Sequence, residues 1–197
     1  MTLPTPSIIL ASTSPHRRAL LERLRLPFQA VSPGVEEDEL PGEAPATRAA
    51  RLALAKARAV AVGYPGAIVI GSDQVASMRI GPDIALLHKP GDRSTCHAQL
   101  AAMSGRVVRF DTAVAVIRDD TELTHMDLTA VHFRELTDHE IGRYIDREPA
   151  YDCAGGFKCE GLGASLFESI EARDPTALVG LPLIWVCAAL RELGVTV

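Results

Sequence analysis

Apolar residues in this chain come as short unbroken runs separated by stretches with helical periodicity. That pattern predicts strands buried on both faces alternating with amphipathic helices. Ile8–Ala11 is the first such run. Ser14-Pro15 then supplies an N-cap residue and a residue suited to the first helical position, so a helix is predicted there with Leu20, Leu21 and Leu24 as its apolar face. Pro33-Gly34 opens an acidic loop, Glu36-Glu37-Asp38-Glu39, which Pro41-Gly42 closes. A second helix is predicted from Pro45 to Val62. Ala49, Leu52, Ala53, Ala57 and Val60 form its stripe, Arg48, Arg51 and Arg58 lie away from it, and Lys56 sits within it. Ala67–Gly71 reads as another buried strand, ending at Ser72-Asp73-Gln74.

Glycine and proline punctuate the chain from Gly81 to Gly91, and Asp92–Met103 follows with a helical pattern. Two longer strands, Val107–Ile117 and Thr124–Phe133, flank the polar turn Arg118-Asp119-Asp120-Thr121. Thr137 and Glu140 have capping-box spacing and start a short helix carrying Ile141, Tyr144 and Ile145. A glycine-rich segment, Cys153–Gly163, precedes a final helix from near Pro182 to Leu193. Mixed strands and helices with a long antiparallel pair predict an α/β fold, and the length suits one domain over residues 1–197 or two closely packed lobes with a common core.

Composition narrows the function. Of 197 residues, 47% are hydrophobic and 23% charged, enough to build a core. A formal net charge of -5 argues against a surface for duplex nucleic acid, which binds through Lys and Arg. The apolar stretch Leu178–Leu190 is interrupted by Gly180 and Pro182 and falls short of the roughly 20 residues a membrane span needs. Met1–Ser7 carries no positive side chain, so no export signal is expected. Cys96, Cys153, Cys159 and Cys187 form no Cys-x-x-Cys pair, which suits reduced thiols in the cytoplasm.

Four features could carry chemistry. Ser12-Thr13-Ser14-Pro15-His16-Arg17-Arg18 joins a strand to a helix, and a helix N-terminus with serine hydroxyls and Arg17 attracts anions; it reads equally as a plain cap. Asp73 ends an apolar strand, where a carboxylate can hold a divalent cation or take a proton from water, or simply form a turn. Glu36 and Glu37 belong to a run of charge that is ordinarily solvated surface, yet Glu37 with Asp73 would suffice for Mg²⁺ beside a polyphosphate. Lys56, on an apolar face, needs an anionic partner if buried, and Lys89 stands before Pro90 in a turn.

Together these pieces resemble the Maf-like family of nucleotide pyrophosphatases over nearly the whole chain. The matching strings are Leu10-Ala11-Ser12-Thr13-Ser14-Pro15-His16-Arg17-Arg18, Val69-Ile70-Gly71-Ser72-Asp73-Gln74 and Lys89-Pro90. Cys153-Ala154-Gly155-Gly156-Phe157-Lys158-Cys159-Glu160-Gly161 and Asp174-Pro175 through Val179-Gly180-Leu181-Pro182-Leu183 follow in order. The resemblance implies an elongated mixed sheet with flanking helices and two lobes around a deep cleft, related to inosine triphosphate pyrophosphatases and often a homodimer. It implies cleavage between the α- and β-phosphates of a nucleoside triphosphate with Mg²⁺ or Mn²⁺. Asp73 would be the catalytic carboxylate and, with Glu37, a metal ligand. Ser12, Ser14, Arg17, Lys56 and Lys89 would bind phosphate. Gln74 and Glu160 resemble the branch acting on 7-methyl-GTP, with His16 a third specificity position. His16 stands where that branch tends to have tryptophan, and His88 replaces a usual glycine before Lys89. The alternatives are a dTTP/UTP pyrophosphatase, or a nucleotide-binding regulator of cell division with little turnover.

Overall fold

The computed structural model describes residues 6–197; residues 1–5, within the stretch expected to lack an export signal, lie outside the described residues. In chain order the elements are β1 (Ile8–Ala11), α1 (Pro15–Glu22), β2 (Phe28–Val31), α2 (Pro45–Ala61), β3 (Ile68–Ile80), β4 (Asp83–Leu87) and α3 (Arg93–Met103). They continue with β5 (Val107–Arg118), β6 (Thr121–Phe133), α4 (Asp138–Arg147), β7 (Phe167–Glu171) and α5 (Leu183–Glu192). The expected α/β class and mixed sheet with flanking helices are borne out. Strands run in the order β2-β1-β3-β5-β6-β7, with β4 paired to β3. The chain forms two compact units, and β3, β5 and β6 are long enough to give residues to both. Among the described residues one unit comprises 6–74, Thr112–Asp127 and Asp174–Val197; the other comprises Val75–Asp111 and Leu128–Arg173.

In the first unit β1 pairs in parallel with β2 and with β3, Ile8 opposite Phe28 on one side and Ile68 on the other. Because side chains alternate along a strand, each of these strands feeds two cores. Ile8, Leu10, Ile68 and Ile70 pack with Leu20 and Leu21 of α1 and with Leu183, Val186 and Leu190 of α5. Ile9, Ala11 and Val69 face the other way, against Ala57 and Val60 of α2. The same alternation sends Ser72 and Gln74 toward the α1 and α5 side and Gly71 and Asp73 toward α2. A two-residue turn, with Asp119 at φ +50°, joins β5 to β6.

Helix α2 lies very close to β3. A Cβ at Gly71 would run into the carbonyl oxygen of Ala53 and stand 2.6 Å from the nitrogen of Ala57. Both are backbone atoms of a helix and cannot give way locally. Gly71→Ala should therefore destabilise the protein by about 3 kcal/mol, toward the upper end for overpacked sites. A denaturant melt checks this: an unchanged midpoint would show that the helix can shift freely.

The second unit has an aromatic core in which Phe133, Phe157 and Phe167 meet edge to face with ring centroids 5.0–5.5 Å apart. β4 is antiparallel to β3, and β7 is antiparallel to β6. Thr137 and Glu140 form the expected reciprocal cap on α4.

Three readings need correction. β3 does not end at Gly71 but continues to Ile80, so Asp73 lies inside a strand rather than at its end. The stretch after Gly81 contains strand β4, and β2 and β7 were not foreseen. Strand β3 runs through Ser72, Asp73 and Gln74 because each finds a tertiary partner, as described next.

Candidate active site

Ser14 caps α1 through its side chain, which accepts from the Arg17 amide at 3.4 Å, and Pro15 takes the first helical position as expected. The Ser12 hydroxyl oxygen accepts from the Ser14 amide at 3.1 Å. Both oxygens act as acceptors here, which leaves each hydroxyl proton for a further bond. His16, half-buried, and Arg17 stand in the first turn of the helix, where amide dipoles favour an anion.

The Arg17 guanidinium is aimed by the far end of the chain. Its Nε donates to the carbonyl oxygen of Gly180 at 2.9 Å. Gly180 has φ +115°, and a Cβ there would sit 3.3 Å from that Nε, so glycine serves both the turn and the close approach. The Ser72 hydroxyl, fully buried, lies within hydrogen-bonding distance of two carbonyl oxygens, Ala113 at 2.8 Å and Gly180 at 2.9 Å. Asp174, for which the residue pattern suggests no task, secures the segment. Its buried carboxylate accepts from the amide and hydroxyl of Thr176 and from the amide of Ile184 at the start of α5.

Asp73 stands on the opposite face of β3, 6% exposed, with Oδ1 accepting from Nζ of Lys56 at 2.6 Å. Lys56, 5% exposed, is also 2.5 Å from Oε1 of Glu37. The lysine on the apolar stripe is therefore buried and paired, one ammonium held between two carboxylates. Burial raises the Asp73 carboxyl above its ordinary pKa, and the charges of Lys56 and Arg17 oppose that rise. Arg17 responds in the converse sense: burial lowers its pKa, while Asp73 and Glu37 raise it. Glu37 comes from the acidic loop that the residue pattern alone assigned to solvated surface.

Gln74 spends its amide nitrogen inside the first unit. Nε2 lies 2.9 Å from the Thr112 hydroxyl oxygen, 3.0 Å from the Ala177 carbonyl and 3.1 Å from that of Leu178. Ser12, Ser14, His16, Arg17, Glu37, Lys56, Asp73 and Gln74 thus belong to one unit, whereas Lys89 and Glu160 belong to the other, both exposed. There the Gly155 amide donates to the carbonyl of His88 at 3.4 Å, joining the glycine-rich turn to the Lys89-Pro90 segment. Cys153 and Cys159 are poor nucleophiles, since burial pushes both thiols up to about 12. Among the described residues no helix is long and apolar enough to cross a membrane.

Asp73 and Lys56 form a buried ion pair in the same unit of the mixed α/β fold that carries Arg17 and the N-terminus of α1. The chain belongs to the Maf family: the family model for Maf-like protein matches residues 7–193. It is 59% identical over 189 residues to a 7-methyl-GTP pyrophosphatase of Xanthomonas oryzae pv. oryzae, covering 96% of this chain and 97% of that one. A protein of the same name from Polaromonas is 52% identical over 197 residues, covering 99% of this chain and 88% of the relative. Another, from Bordetella avium, is 50% identical over 190 residues. Among solved structures, the Staphylococcus aureus Ham1 protein superposes with a TM-score of 0.45 at 14% identity, covering 66% of this chain and 72% of that one.

Proposed function

We propose that this chain hydrolyses 7-methyl-GTP, or a closely related modified nucleotide, to the monophosphate and pyrophosphate, acting as one functional module in the cytoplasm. The observation that carries the reaction class is the buried ammonium of Lys56 between Asp73 and Glu37. Two carboxylates that converge on one cation suit a divalent ion with oxygen preference, Mg²⁺ or Mn²⁺, whose remaining positions phosphate and water would fill. Glu37 and Asp73 would hold that ion, which when bound supplies charge neutralisation at the transferring phosphoryl group. Thiol-preferring metals do not fit such a donor set.

The chain's own residues do the rest. Asp73, ionised, orients a water and takes its proton as the water oxygen bonds to the α-phosphorus. The bond from that phosphorus to the bridging oxygen breaks, and pyrophosphate leaves with the bonding electrons. Ser12 and Ser14 hydroxyls, the first-turn amides of α1 and the cations Arg17, Lys56 and Lys89 bind the phosphate oxygens and stabilise the charge that develops on them. On the base, Glu160 accepts from the N1–H and N2–H₂ edge of guanine and complements the positive ring that methylation creates. His16 offers a stacking face, and Gln74, its nitrogen committed to Thr112 and two carbonyls, bears on the base through its amide oxygen.

The identity of the curated relatives supports the choice of methylated guanine. A substrate panel tests it, with pyrophosphate and monophosphate measured as products in Mg²⁺ or Mn²⁺. The kcat/KM for 7-methyl-GTP should exceed those for dTTP and UTP by at least about 10-fold, within what a site built around a polar base edge can achieve. The reverse order would remove the methyl-guanine assignment while leaving the reaction class in place.

A further inference from the structure

Between Val31, the end of β2, and Pro45, the start of α2, the chain forms no strand or helix. It is nevertheless tied to α2 at closely spaced points. Nη2 of Arg48 donates to the carbonyl oxygen of Glu37 at 2.8 Å, and Nη1 pairs with Oε1 of Glu39 at 2.5 Å. One turn further along, Arg51 forks onto Glu43, Nε at 2.7 Å and Nη2 at 2.6 Å. The same Nη2 donates to the carbonyl oxygen of Asp38 at 3.1 Å. Each pair has one sheltered and one more open partner: Arg48 is 13% exposed against 52% for Glu39, and Glu43 is 7% exposed against 33% for Arg51.

Glu37 is therefore held twice. Arg48 grips its backbone carbonyl, and Lys56, two turns later on the same helix, takes its carboxylate. Backbone entropy opposes ordering an irregular loop, and charge-assisted bonds to its carbonyls are among the strongest restraints available. A planar fork that meets a carboxylate and a carbonyl together is a geometry lysine cannot reproduce. Both guanidinium groups are occupied by the loop itself, so neither is needed to explain phosphate binding.

We propose that Arg48 and Arg51 are positioning residues that strap the acidic loop onto α2, so that Glu37 presents its carboxylate to the ion shared with Asp73. They set affinity for a divalent cation without taking part in base selection. This rests on the reading of Glu37 and Asp73 as cation ligands, and the experiment separates the two. Full-length Arg48→Ala, Arg51→Ala, Arg51→Lys and Glu37→Gln proteins would be compared with wild type. Three readouts serve: Mn²⁺ titration by electron paramagnetic resonance without nucleotide, hydrogen exchange at amides 35–43, and kinetics across metal concentration.

Each alanine variant should exchange faster across 35–43 and bind Mn²⁺ about 10-fold more weakly, with kcat at saturating metal within about 3-fold of wild type. The preference among nucleotides should not move. Arg51→Lys keeps the charge and guards against misfolding, and it should recover little of the Mn²⁺ affinity. Unchanged exchange in the arginine variants would overturn the strap while leaving Glu37 as a ligand. A loosened loop with unchanged Mn²⁺ affinity, in these variants and in Glu37→Gln alike, would overturn the ligand reading and the proposal with it. A loss of kcat that saturating metal does not restore would overturn the positioning role.

Discussion

Asp73→Asn should lose at least about 10³-fold in kcat while nucleotide still binds, because the amide keeps the shape of the side chain but can neither take a proton nor anchor a cation as a carboxylate does. The wild-type pH profile should carry the same signature. Asp73 must be ionised to act, and burial raises its pKa above the ordinary aspartate value. Without a cation this carboxyl should therefore titrate above an ordinary aspartate, and a bound divalent ion should draw the acid limb of activity back down as its concentration rises. For stability the sign runs the other way. A carboxyl whose folded pKa is raised contributes stability below its unfolded pKa, and that contribution is lost as pH rises through the folded value. Ionised Asp73 is thus a burden on folding at neutral pH, partly relieved by Lys56, and Asn should not unfold the protein. Steady-state rates, calorimetric nucleotide titration and a thermal melt check the three parts. A variant keeping about a tenth of wild-type turnover would exclude Asp73 as the proton acceptor.

Lys56→Met should combine the second largest loss of rate with a loss of stability. Methionine fills the space on the apolar face of α2 but leaves the buried carboxylate of Asp73 without the ammonium 2.6 Å away. Removing one partner of a buried ion pair typically destabilises by about 3–5 kcal/mol, and Glu37, more than half exposed, is rehydrated at little cost. Turnover should drop on the order of 10²-fold, since a cation near the developing phosphate charge is gone. The direction of the pH effect is fixed by what Lys56 does to its neighbour. Its charge lowers the Asp73 pKa against the effect of burial, so without it the acid limb of the rate profile must move to higher pH. A limb that stayed in place would show that Asp73 is not the group titrating in that profile.

Much of this was legible in the chain. Runs such as Ile8–Ala11 and the stripe on α2 gave the layers, because burial on a sheet or helix leaves a periodic trace. Ser14 and Thr137 marked helix starts through a local mechanism that needs no tertiary knowledge. The length of β3 was hidden because Ser72 and Asp73 are turn formers by local preference and Gln74 is polar, and only partners far along the chain satisfy them within a strand. Strands β2, β4 and β7 escaped notice since edge strands that are only partly buried show no apolar run. Lys56 was conspicuous as a cation on an apolar face. Arg48 and Arg51 were placed correctly off that face, but nothing in the sequence reveals that their partners are carbonyls of an irregular loop. Asp174 was hidden for a similar reason: its task is a set of amides, which leave no mark in side-chain pattern.

The carbonyl that aims Arg17 belongs to Gly180, 163 residues later. During synthesis at roughly 5–20 residues per second, α1 would wait on the order of 10–30 s for the atom that fixes its arginine. A nascent chain can form helices and local hairpins in that interval, but not this contact. Premature termination anywhere before Asp174 would remove α5 and expose the apolar surface it covers on Leu20 and Leu21. Competence therefore arrives late in biogenesis and all together, and an incomplete copy offers exposed hydrophobic surface to quality control instead of residual activity.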